Sequence, residues 1–201
     1  MNYGFFRVAS ISPSLSVADC DFNSKQIIEL VKKAQDKKIK LLVFPELSIC
    51  AYTCADLFAQ KMLQEECYLA VKNICAETKN CNVLFCVGLP VELDSERFNC
   101  AAFVYKGKIL ALIPKSFIPN YSEFYESRWF TSFSENTVKQ ISLCKGLEDI
   151  PFGTDIFIQD ENDSSIKISA ELCEDLWVPF SPSTRHALNG ATIIANLSAS
   201  N

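Results

Sequence analysis

Histidine is almost absent from this sequence, because His186 is the only one among 201 residues. A Ser-His-Asp or Cys-His mechanism requires a histidine that a neighbouring side chain can orient. His186 ends the sequence Ser183-Thr-Arg-His, where nothing completes a triad, so we expect a structural or solvent role for it. The chain also lacks a Cys-x-x-Cys pair. Together with the single histidine, this absence argues against a metal site.

Clustered cations, long apolar runs and a basic leader are missing as well. With a formal net charge of −5 and no dense Lys/Arg stripe, the chain is not expected to bind nucleic acid, since phosphate neutralisation needs clustered cations. No apolar run approaches the length that crosses a membrane. No basic leader precedes an apolar segment, so the ten cysteines predict reduced thiols and a cytoplasmic protein rather than a disulfide framework.

Apolar residues, at 49% of the chain, are abundant enough to bury a sizeable core, most simply as one domain. Short apolar or alternating runs predict strands, and longer runs with a helical repeat predict helices. The predicted strands cover residues 5–11, 41–44, 83–88, 100–105, 109–113, 155–159, 165–169 and 192–196. The predicted helices run from a cap at Asp21 or Asn23 to about Lys38, over 61–78 and over 183–189. This alternation predicts an α/β fold with a mixed sheet.

Three predicted strands end beside reactive residue types. The apolar run 41–44 is followed by a proline and then Glu46, and the run 109–113 by a proline and then Lys115. An alternating strand ends just before Cys173. A carboxylate, an ammonium group and a thiol so placed can act as base, electrostatic stabiliser and nucleophile. Each also has a structural alternative, as a helix or turn cap, a surface cation or a buried thiol.

The segment 116–133 is dense in aromatic side chains and has no clean period. A long ordered loop that lines a pocket would explain this composition. A satellite hydrophobic cluster would explain it equally well, because aromatic residues are common in both settings. Both interpretations stay open at this point.

Three ordered motifs resemble the signature regions of the nitrilase, or carbon-nitrogen hydrolase, superfamily. They are Phe44-Pro-Glu-Leu47 followed by Tyr52, Pro114-Lys-Ser-Phe117, and Glu171-Leu-Cys-Glu-Asp-Leu-Trp177. More narrowly, the segments from Lys115 to Arg128 and from Cys173 to Pro179, with Ala195-Asn-Leu-Ser198, resemble the glutaminase domain of glutamine-dependent NAD synthetases. The resemblance extends from the first predicted strand to the last residue.

This resemblance implies a nitrilase-like four-layer αββα sandwich with mixed sheets and the hydrolysis of an amide through a cysteine thioester. It assigns Glu46 as the general base, Lys115 as the stabiliser of the oxyanion and Cys173 as the nucleophile, without a metal. It also implies that Tyr52 supports the catalytic glutamate. The residues that it places around the glutamine substrate are Tyr121, Ser200, Tyr52, Glu174 and Trp177.

The resemblance further implies that glutamine hydrolysis uses no cofactor, and that ATP and deamido-NAD belong to an NAD synthetase domain that normally lies on the same chain. Only six glycines are present, none paired closely enough for the pyrophosphate loop of such a domain. We therefore interpret residues 1–201 as a carbon-nitrogen hydrolase (glutaminase) domain that is incomplete at its carboxyl end, from a protein expected to be a homo-oligomer when complete. Two alternatives stay open: a free-standing nitrilase-like amidase, and an inactive fragment that acts only as an interaction module.

Overall fold

The computed structural model describes residues 4–134 and 137–200. Its strands are Val8–Ser10 (β1), Leu41–Val43 (β2), Leu84–Leu93 (β3), Glu96–Tyr105 (β4), Lys108–Pro114 (β5), Lys139–Ile141 (β6), Ile150–Phe152 (β7), Ile158–Gln159 (β8), Lys167–Leu172 (β9) and Ile193–Leu197 (β10). Its α-helices are Cys20–Asp36 (α1), Lys61–Thr78 (α2) and Pro182–Leu188 (α3). Short 3₁₀ helices cover Tyr52–Ala59, Glu126–Arg128 and Cys173–Leu176. None of the helices among the described residues is long and apolar enough to cross a membrane.

The described strands form two sheets. The larger sheet has the order β1-β2-β3-β4-β5-β7-β6, and the smaller has the order β10-β9-β8. Strands β1, β2 and β3 are parallel, whereas β3, β4 and β5 form an antiparallel meander. In the smaller sheet, β9 pairs with β10 in parallel and with β8 in antiparallel orientation. The predicted mixed α/β character is confirmed.

The two sheets pack face to face, and helices cover their outer faces. The side chains between the sheets include Leu41, Leu84, Cys86, Ala101, Phe103, Ala111, Ile113, Ile168, Ala170, Leu172, Ala195 and Leu197. Helices α1 and α2 lie on the other face of the larger sheet, where Ile27 and Val71 belong to a second core. Helix α3 lies against β9, and its Ser183 N–H donates to Glu171 Oε2 at 2.9 Å. The layer order is therefore the predicted αββα.

The alternation of β9 explains why the smaller sheet can be covered on both faces. Ile168, Ala170 and Leu172 face the larger sheet, and the intervening Ser169 and Glu171 therefore face α3. Both intervening polar side chains are buried. Because each forms hydrogen bonds, to Ile156 O for Ser169 and to Ser183 N and Asn196 Nδ2 for Glu171, their burial is tolerated.

The amino terminus of α1 differs from the prediction. Its N-cap is Asp19, whose Oδ1 accepts a hydrogen bond from Phe22 N at 2.9 Å. Asn23 lies inside the helix and is buried, and its Nδ2 donates to Ile49 O at 3.1 Å. Asp19, Asp21 and Asn23 are all favourable cap residues, so only the contacts of the folded chain distinguish them.

Several strand ends also differ. Strand β3 continues past the predicted end at Gly88 to Leu93 and includes Pro90. Strand β2 pairs with β3 only as far as Cys86. Pro90 lies beyond that point, so its missing N–H leaves no carbonyl group of β2 without a hydrogen bond. Strands β6 and β7 have three residues each, which is too few for a recognisable period, and the sequence does not predict them.

Candidate active site

Glu46 lies just beyond the end of β2, and Lys115 just beyond the end of β5. Two successive antiparallel pairings, β3 with β4 and β4 with β5, make β5 parallel to β2. The carboxyl ends of both strands therefore lie at the same edge of the larger sheet. At Leu47 the backbone has φ +51°, a left-handed conformation that turns the chain sharply after Glu46.

Gly88 allows the backbone of Glu46 to pass very close to β3. A Cβ atom added to Gly88 would lie 2.1 Å from the Leu47 N atom and 2.7 Å from the Glu46 carbonyl carbon. Both distances are far inside van der Waals contact, so only glycine permits this approach. The Gly88 carbonyl also accepts from Ile49 N at 3.0 Å, and its N–H donates to Ser48 Oγ at 3.2 Å. Gly88 thereby fixes the position of Glu46.

The ammonium group of Lys115 joins two buried carboxylates. Its Nζ donates to Glu46 Oε1 at 2.6 Å and to Glu126 Oε1 and Oε2 at 2.9 and 2.8 Å. The side chains of Lys115 and Glu46 are 0% exposed, and that of Glu126 is 1% exposed. Asn99 Nδ2 also donates to Glu46 Oε1, at 2.6 Å. Within the described residues Glu46 Oε2 has no hydrogen-bond partner, so this oxygen is available to a proton.

The pKa values of Glu46 and Lys115 are shifted by their surroundings in this cluster. Burial raises the pKa of Glu46, while the charge of Lys115 opposes that shift and the charge of Glu126 adds to it. Burial by itself would lower the pKa of Lys115, but Glu46 and Glu126 outweigh it and raise that pKa. Lys115 is therefore held as an ammonium ion, and Glu46 is a better proton acceptor than a carboxylate in water.

Cys173 occupies a sharp turn between β9 and the 3₁₀ helix Cys173–Leu176. Its φ of +44° is in the left-handed region, which residues other than glycine rarely adopt. Burial raises the pKa of the thiol and the charge of Glu46 adds to the shift, while a hydrogen bond to Ser198 and the charge of Lys115 oppose it. The backbone N–H groups of Ser116 and Phe117, which directly follow Lys115, donate to Asp175, two residues after Cys173. The structure therefore brings the turn of Cys173 beside the strand end that carries Lys115, which in turn binds Glu46.

The predicted glutamine-binding residues lie around this site and are mostly exposed. Tyr121, which is 54% exposed, donates its hydroxyl hydrogen to Glu174 Oε2 at 2.8 Å. Trp177 is 73% exposed. Ser200 Oγ lies 2.9 Å from Ser198 Oγ, and Ser198 is one of the groups that lower the pKa of the Cys173 thiol. Their role in binding glutamine stays a prediction.

Tyr52 contacts a different glutamate from the one that the sequence suggests. Its hydroxyl donates to Glu126 Oε1 at 2.7 Å, and Glu126 in turn binds Lys115. Any support that Tyr52 gives to Glu46 therefore passes through Glu126 and Lys115. Burial, followed by the bond to Glu126, raises the pKa of the Tyr52 hydroxyl, which keeps it a neutral donor.

Sequence reasoning missed Glu126 and Asn99. Glu126 lies in the aromatic segment, eleven residues after Lys115, and the sequence offers no signal that separates it from Glu123 in the same segment. Glu126 does not belong to a periodic strand or helix pattern, and only such a pattern would have predicted its burial. Asn99 lies in the middle of β4, where a polar residue in an apolar run indicates a buried hydrogen bond. That signal does not identify the partner.

The aromatic segment combines the two predicted alternatives. Phe130 and Phe133 are buried in the core, and the ring of Phe130 lies 4.9 Å from that of Phe58, centroid to centroid. Phe117, in contrast, lines a cavity of about 370 Å³ together with Phe133 and Arg185. The lining of this cavity does not include Glu46, Lys115 or Cys173. The segment therefore forms a hydrophobic cluster at one end and a cavity wall beside it.

The fold and the site together define a class of protein. Residues 7–201 match the carbon-nitrogen hydrolase family, and the chain belongs to this family of enzymes. It is 31% identical, over 198 residues, to the glutamine-dependent NAD(+) synthetase of Mycobacterium tuberculosis, a match that covers 98% of this chain and 29% of the relative. The human glutamine-dependent NAD(+) synthetase is 27% identical over 200 residues, which covers 96% and 28% of the two chains.

Solved structures show the same likeness. A glutamine-dependent NAD(+) synthetase from Cytophaga hutchinsonii superposes with a TM-score of 0.83 at 27% identity, covering 97% of this chain and 30% of the other. An amidase from Nesterenkonia sp. has a TM-score of 0.70 at 19% identity, covering 95% and 64% of the two chains, and shows the fold alone. The predicted resemblance to glutamine-dependent NAD synthetases is confirmed. This chain spans about 29% of the length of the curated mycobacterial relative.

Proposed function

We propose that this chain hydrolyses the side-chain amide of glutamine through a thioester on Cys173. The ammonia would serve the amidation of deamido-NAD to NAD in an NAD synthetase domain. The observation that carries the proposal is the buried cluster of Lys115, Glu46 and Glu126 beside the turn of Cys173. The likeness to glutamine-dependent NAD synthetases supports glutamine as the substrate.

The first step is activation of the nucleophile. Glu46 takes the proton of the Cys173 thiol, and its free Oε2 is the acceptor. Burial favours the neutral forms of both groups, because it raises both pKa values. The charge of Lys115 opposes the rise in the pKa of the thiol and so favours the thiolate that the transfer produces.

Attack by the sulfur on the amide carbon then places negative charge on the carbonyl oxygen. Lys115 offsets that charge, and the backbone N–H that follows Cys173 can contribute a second donor. The ammonium group has three hydrogens, and a single hydrogen shared between the two oxygens of Glu126 leaves one for the substrate. Since Lys115 is fully buried, water weakens this interaction little.

Breakdown of the tetrahedral intermediate returns the proton. The carboxylic acid of Glu46 protonates the departing nitrogen, and the carbon–nitrogen bond breaks. Ammonia is released, and the acyl group stays on Cys173 as a thioester. Water then attacks the thioester carbon while Glu46 accepts a proton from it, and collapse of this second intermediate returns that proton to the sulfur and releases glutamate. The sum is glutamine plus water giving glutamate plus ammonia, with no change of oxidation state.

The surrounding residues are proposed to orient the amino acid. The carboxylate of Glu174 suits the α-ammonium group of glutamine, and Tyr121 already holds that carboxylate in place. Trp177 offers a large apolar face, while Ser200 and Tyr52 offer hydroxyl groups. These assignments accompany the proposed substrate and are tested with it.

The proposed hydrolysis needs no cofactor, because a thiol, a carboxylate and an ammonium group supply all of its steps. ATP and deamido-NAD are then reactants of the synthetase domain, which is the proposed partner of this glutaminase domain. We extend the proposal to a homo-oligomeric assembly of the complete protein. Sedimentation of the complete protein measures its self-association, and sedimentation of this chain mixed with a synthetase domain measures the association of the two domains.

The test is the release of ammonia and glutamate from glutamine, with asparagine and simple aliphatic amides as competing substrates. We expect glutamine to be hydrolysed best and the Cys173→Ala variant to be inactive. Cys144→Ala is the matched control, because Cys144 is a partly buried thiol outside the site, and this variant should retain the wild-type rate. Hydrolysis of aliphatic amides without hydrolysis of glutamine would instead indicate an amidase.

A further inference from the structure

Asp175 is a buried carboxylate that the proposed mechanism does not use. It lies in the 3₁₀ helix that begins at the nucleophile and is 1% exposed. Its Oδ1 accepts hydrogen bonds from Phe117 N at 2.8 Å and from Ser116 N at 3.1 Å, and its Oδ2 accepts from Leu172 N at 3.0 Å. A carboxylate that serves three backbone donors in the interior is a specific structural device rather than a solvated charge.

The three donors belong to the two strand ends that carry reactive groups. Ser116 and Phe117 directly follow Lys115 at the end of β5, in the larger sheet. Leu172 directly precedes Cys173 at the end of β9, in the smaller sheet. One side chain therefore joins the backbone beside the ammonium group to the backbone beside the thiol, across the interface between the sheets.

We propose that Asp175 is a positioning residue that holds the turn of Cys173 and the strand end of Lys115 at the separation needed for attack on the substrate. This inference rests on the proposed function above. The turn needs such a restraint, because Cys173 has φ +44° and a strained backbone persists only where its surroundings hold it. A second link, between Tyr121 and Glu174, joins the same two segments but is exposed.

An amide cannot replace this carboxylate. Asparagine has one oxygen and one NH₂ group, so in either orientation the NH₂ group meets a backbone N–H where the carboxylate had an acceptor. If the oxygen faces Ser116 and Phe117, the turn at Leu172 loses its bond, and in the other orientation the strand end loses its bonds. Asp175→Asn therefore disconnects the two strand ends with almost no change in side-chain volume.

The experiment measures the rate at which iodoacetamide alkylates Cys173, by peptide mass spectrometry, together with kcat and KM for glutamine. In Asp175→Asn we expect alkylation of Cys173 to slow by about tenfold or more and kcat to fall by about 10²-fold, with KM within about threefold, as for a reacting group displaced by roughly 1 Å. The matched control is Asp163→Asn, which makes the same change at an exposed aspartate in a turn and should match the wild type.

Two internal references separate positioning from loss of folding. Partly buried Cys144 should react at the wild-type rate in Asp175→Asn, and Cys100, buried in β4, should stay protected. If these thiols become reactive as well, Asp175 only stabilises the fold and the inference is wrong. Unchanged alkylation of Cys173 and unchanged kcat would overturn it too.

Asp175→Glu provides a second variant if the asparagine variant does not fold. It keeps the charge but displaces the acceptor oxygens by one methylene, so we expect it also to slow alkylation of Cys173 by several-fold. Wild-type reactivity in this variant would show that charge alone suffices. Alkylation needs no substrate, so a wild-type chain that does not hydrolyse glutamine would refute the proposed function while the role of Asp175 could still be measured.

Discussion

Two groups of charged side chains join the same two segments of this chain, one group in the interior and one at the surface. In the interior, Lys115 binds Glu46 and Glu126 with side chains that are at most 1% exposed. At the surface, Arg128 binds Asp56 through two hydrogen bonds of 2.6 and 2.9 Å, with side chains 65% and 67% exposed. Both groups connect the region after β2 with the region after β5.

The difference lies in what surrounds the charges. Removing one partner of a buried pair leaves an uncompensated charge, which destabilises a protein by about 3–5 kcal/mol. Removing one partner of an exposed pair leaves a charge that water solvates and salt screens. The surface pair, which Trp129 Nε1 joins at 3.0 Å from Asp56 Oδ1, can therefore align the two segments, whereas the buried group can also perform chemistry.

Replacing the buried cation should have the largest effect. In Lys115→Met, two buried carboxylates lose their ammonium partner, so we expect unfolding in urea to require about 3–5 kcal/mol less free energy and ammonia release to fall by at least about 10³-fold. Lys108→Met, at an exposed position of β5, is the control and should resemble the wild type. A Lys115→Met chain of wild-type stability would contradict the importance of burial.

A substitution at Gly88 disturbs the buried group through the backbone of Glu46, without changing any charge. Gly88→Ala would place a methyl group 2.1 Å from Leu47 N and 2.7 Å from the Glu46 carbonyl carbon. Because both of these are backbone atoms, the turn after Glu46 must move. We expect a loss of stability of about 3 kcal/mol and a drop in kcat of about 10²-fold, measured by urea unfolding and ammonia release. Gly4→Ala, where the added methyl meets nothing within 4 Å, should leave kcat unchanged. Equal kcat values for both variants would show that Glu46 tolerates the shift.

His186 extends the comparison to a buried group without an ammonium partner. Burial lowers its pKa, against the opposing bond to Thr154 O at 2.9 Å. The unfolded chain, with a histidine pKa of about 6.5, then binds the proton more readily, so the contribution of His186 to stability is present above about pH 6.5 and is lost as the pH falls. Urea unfolding between pH 8 and 5.5 should show this loss for the wild type but not for His186→Gln.

The difference between the pH profiles of the wild type and His186→Gln measures the contribution of His186 alone. The comparison is needed because other groups change the stability with pH in the opposite direction. Burial raises the pKa of Asp175 to about 7 and raises that of Glu46, so their contributions decrease as the pH rises through their folded-state values. Identical pH profiles for the wild type and His186→Gln would show that His186 does not titrate in this range.

Replacing a residue of the exposed pair should have the smallest effect. Asp56→Asn removes an exposed charge that meets Arg128 and Trp129 and touches no residue of the buried cluster, so we expect kcat to change by less than about threefold. Adding 1 M salt should reduce the difference further, because exposed charges are screened. A loss of activity as large as that of Lys115→Met would break the distinction between the two groups.

The parts of the site that the sequence could predict are those at the ends of regular strands. Glu46, Lys115 and Cys173 each follow an apolar or alternating run, and the end of such a run shows where a side chain leaves the sheet. Burial of α1 and α2 against the larger sheet follows from their apolar faces in the same way. These features depend on local periodicity, which one sequence contains.

The remaining features depend on contacts between distant segments. Glu126 reaches Lys115 from an irregular aromatic segment, and Gly88 matters only because the turn after Glu46 crosses it. The three backbone bonds of Asp175 join two different sheets, and no local pattern describes them. Asp19 became the cap of α1 although two other candidates were as good. In each case tertiary contacts decide among local options of similar energy.

In the proposed function, Glu46 activates Cys173 for attack on the side-chain amide of glutamine. Labelling with a diazo-ketone analogue of glutamine, followed by intact-protein and peptide mass spectrometry, tests this step without any turnover. We expect one adduct per chain, on Cys173, and labelling slowed by about 10²-fold in Glu46→Gln. Label spread over Cys144 and the buried thiols, or equal rates for the wild type and Glu46→Gln, would contradict it.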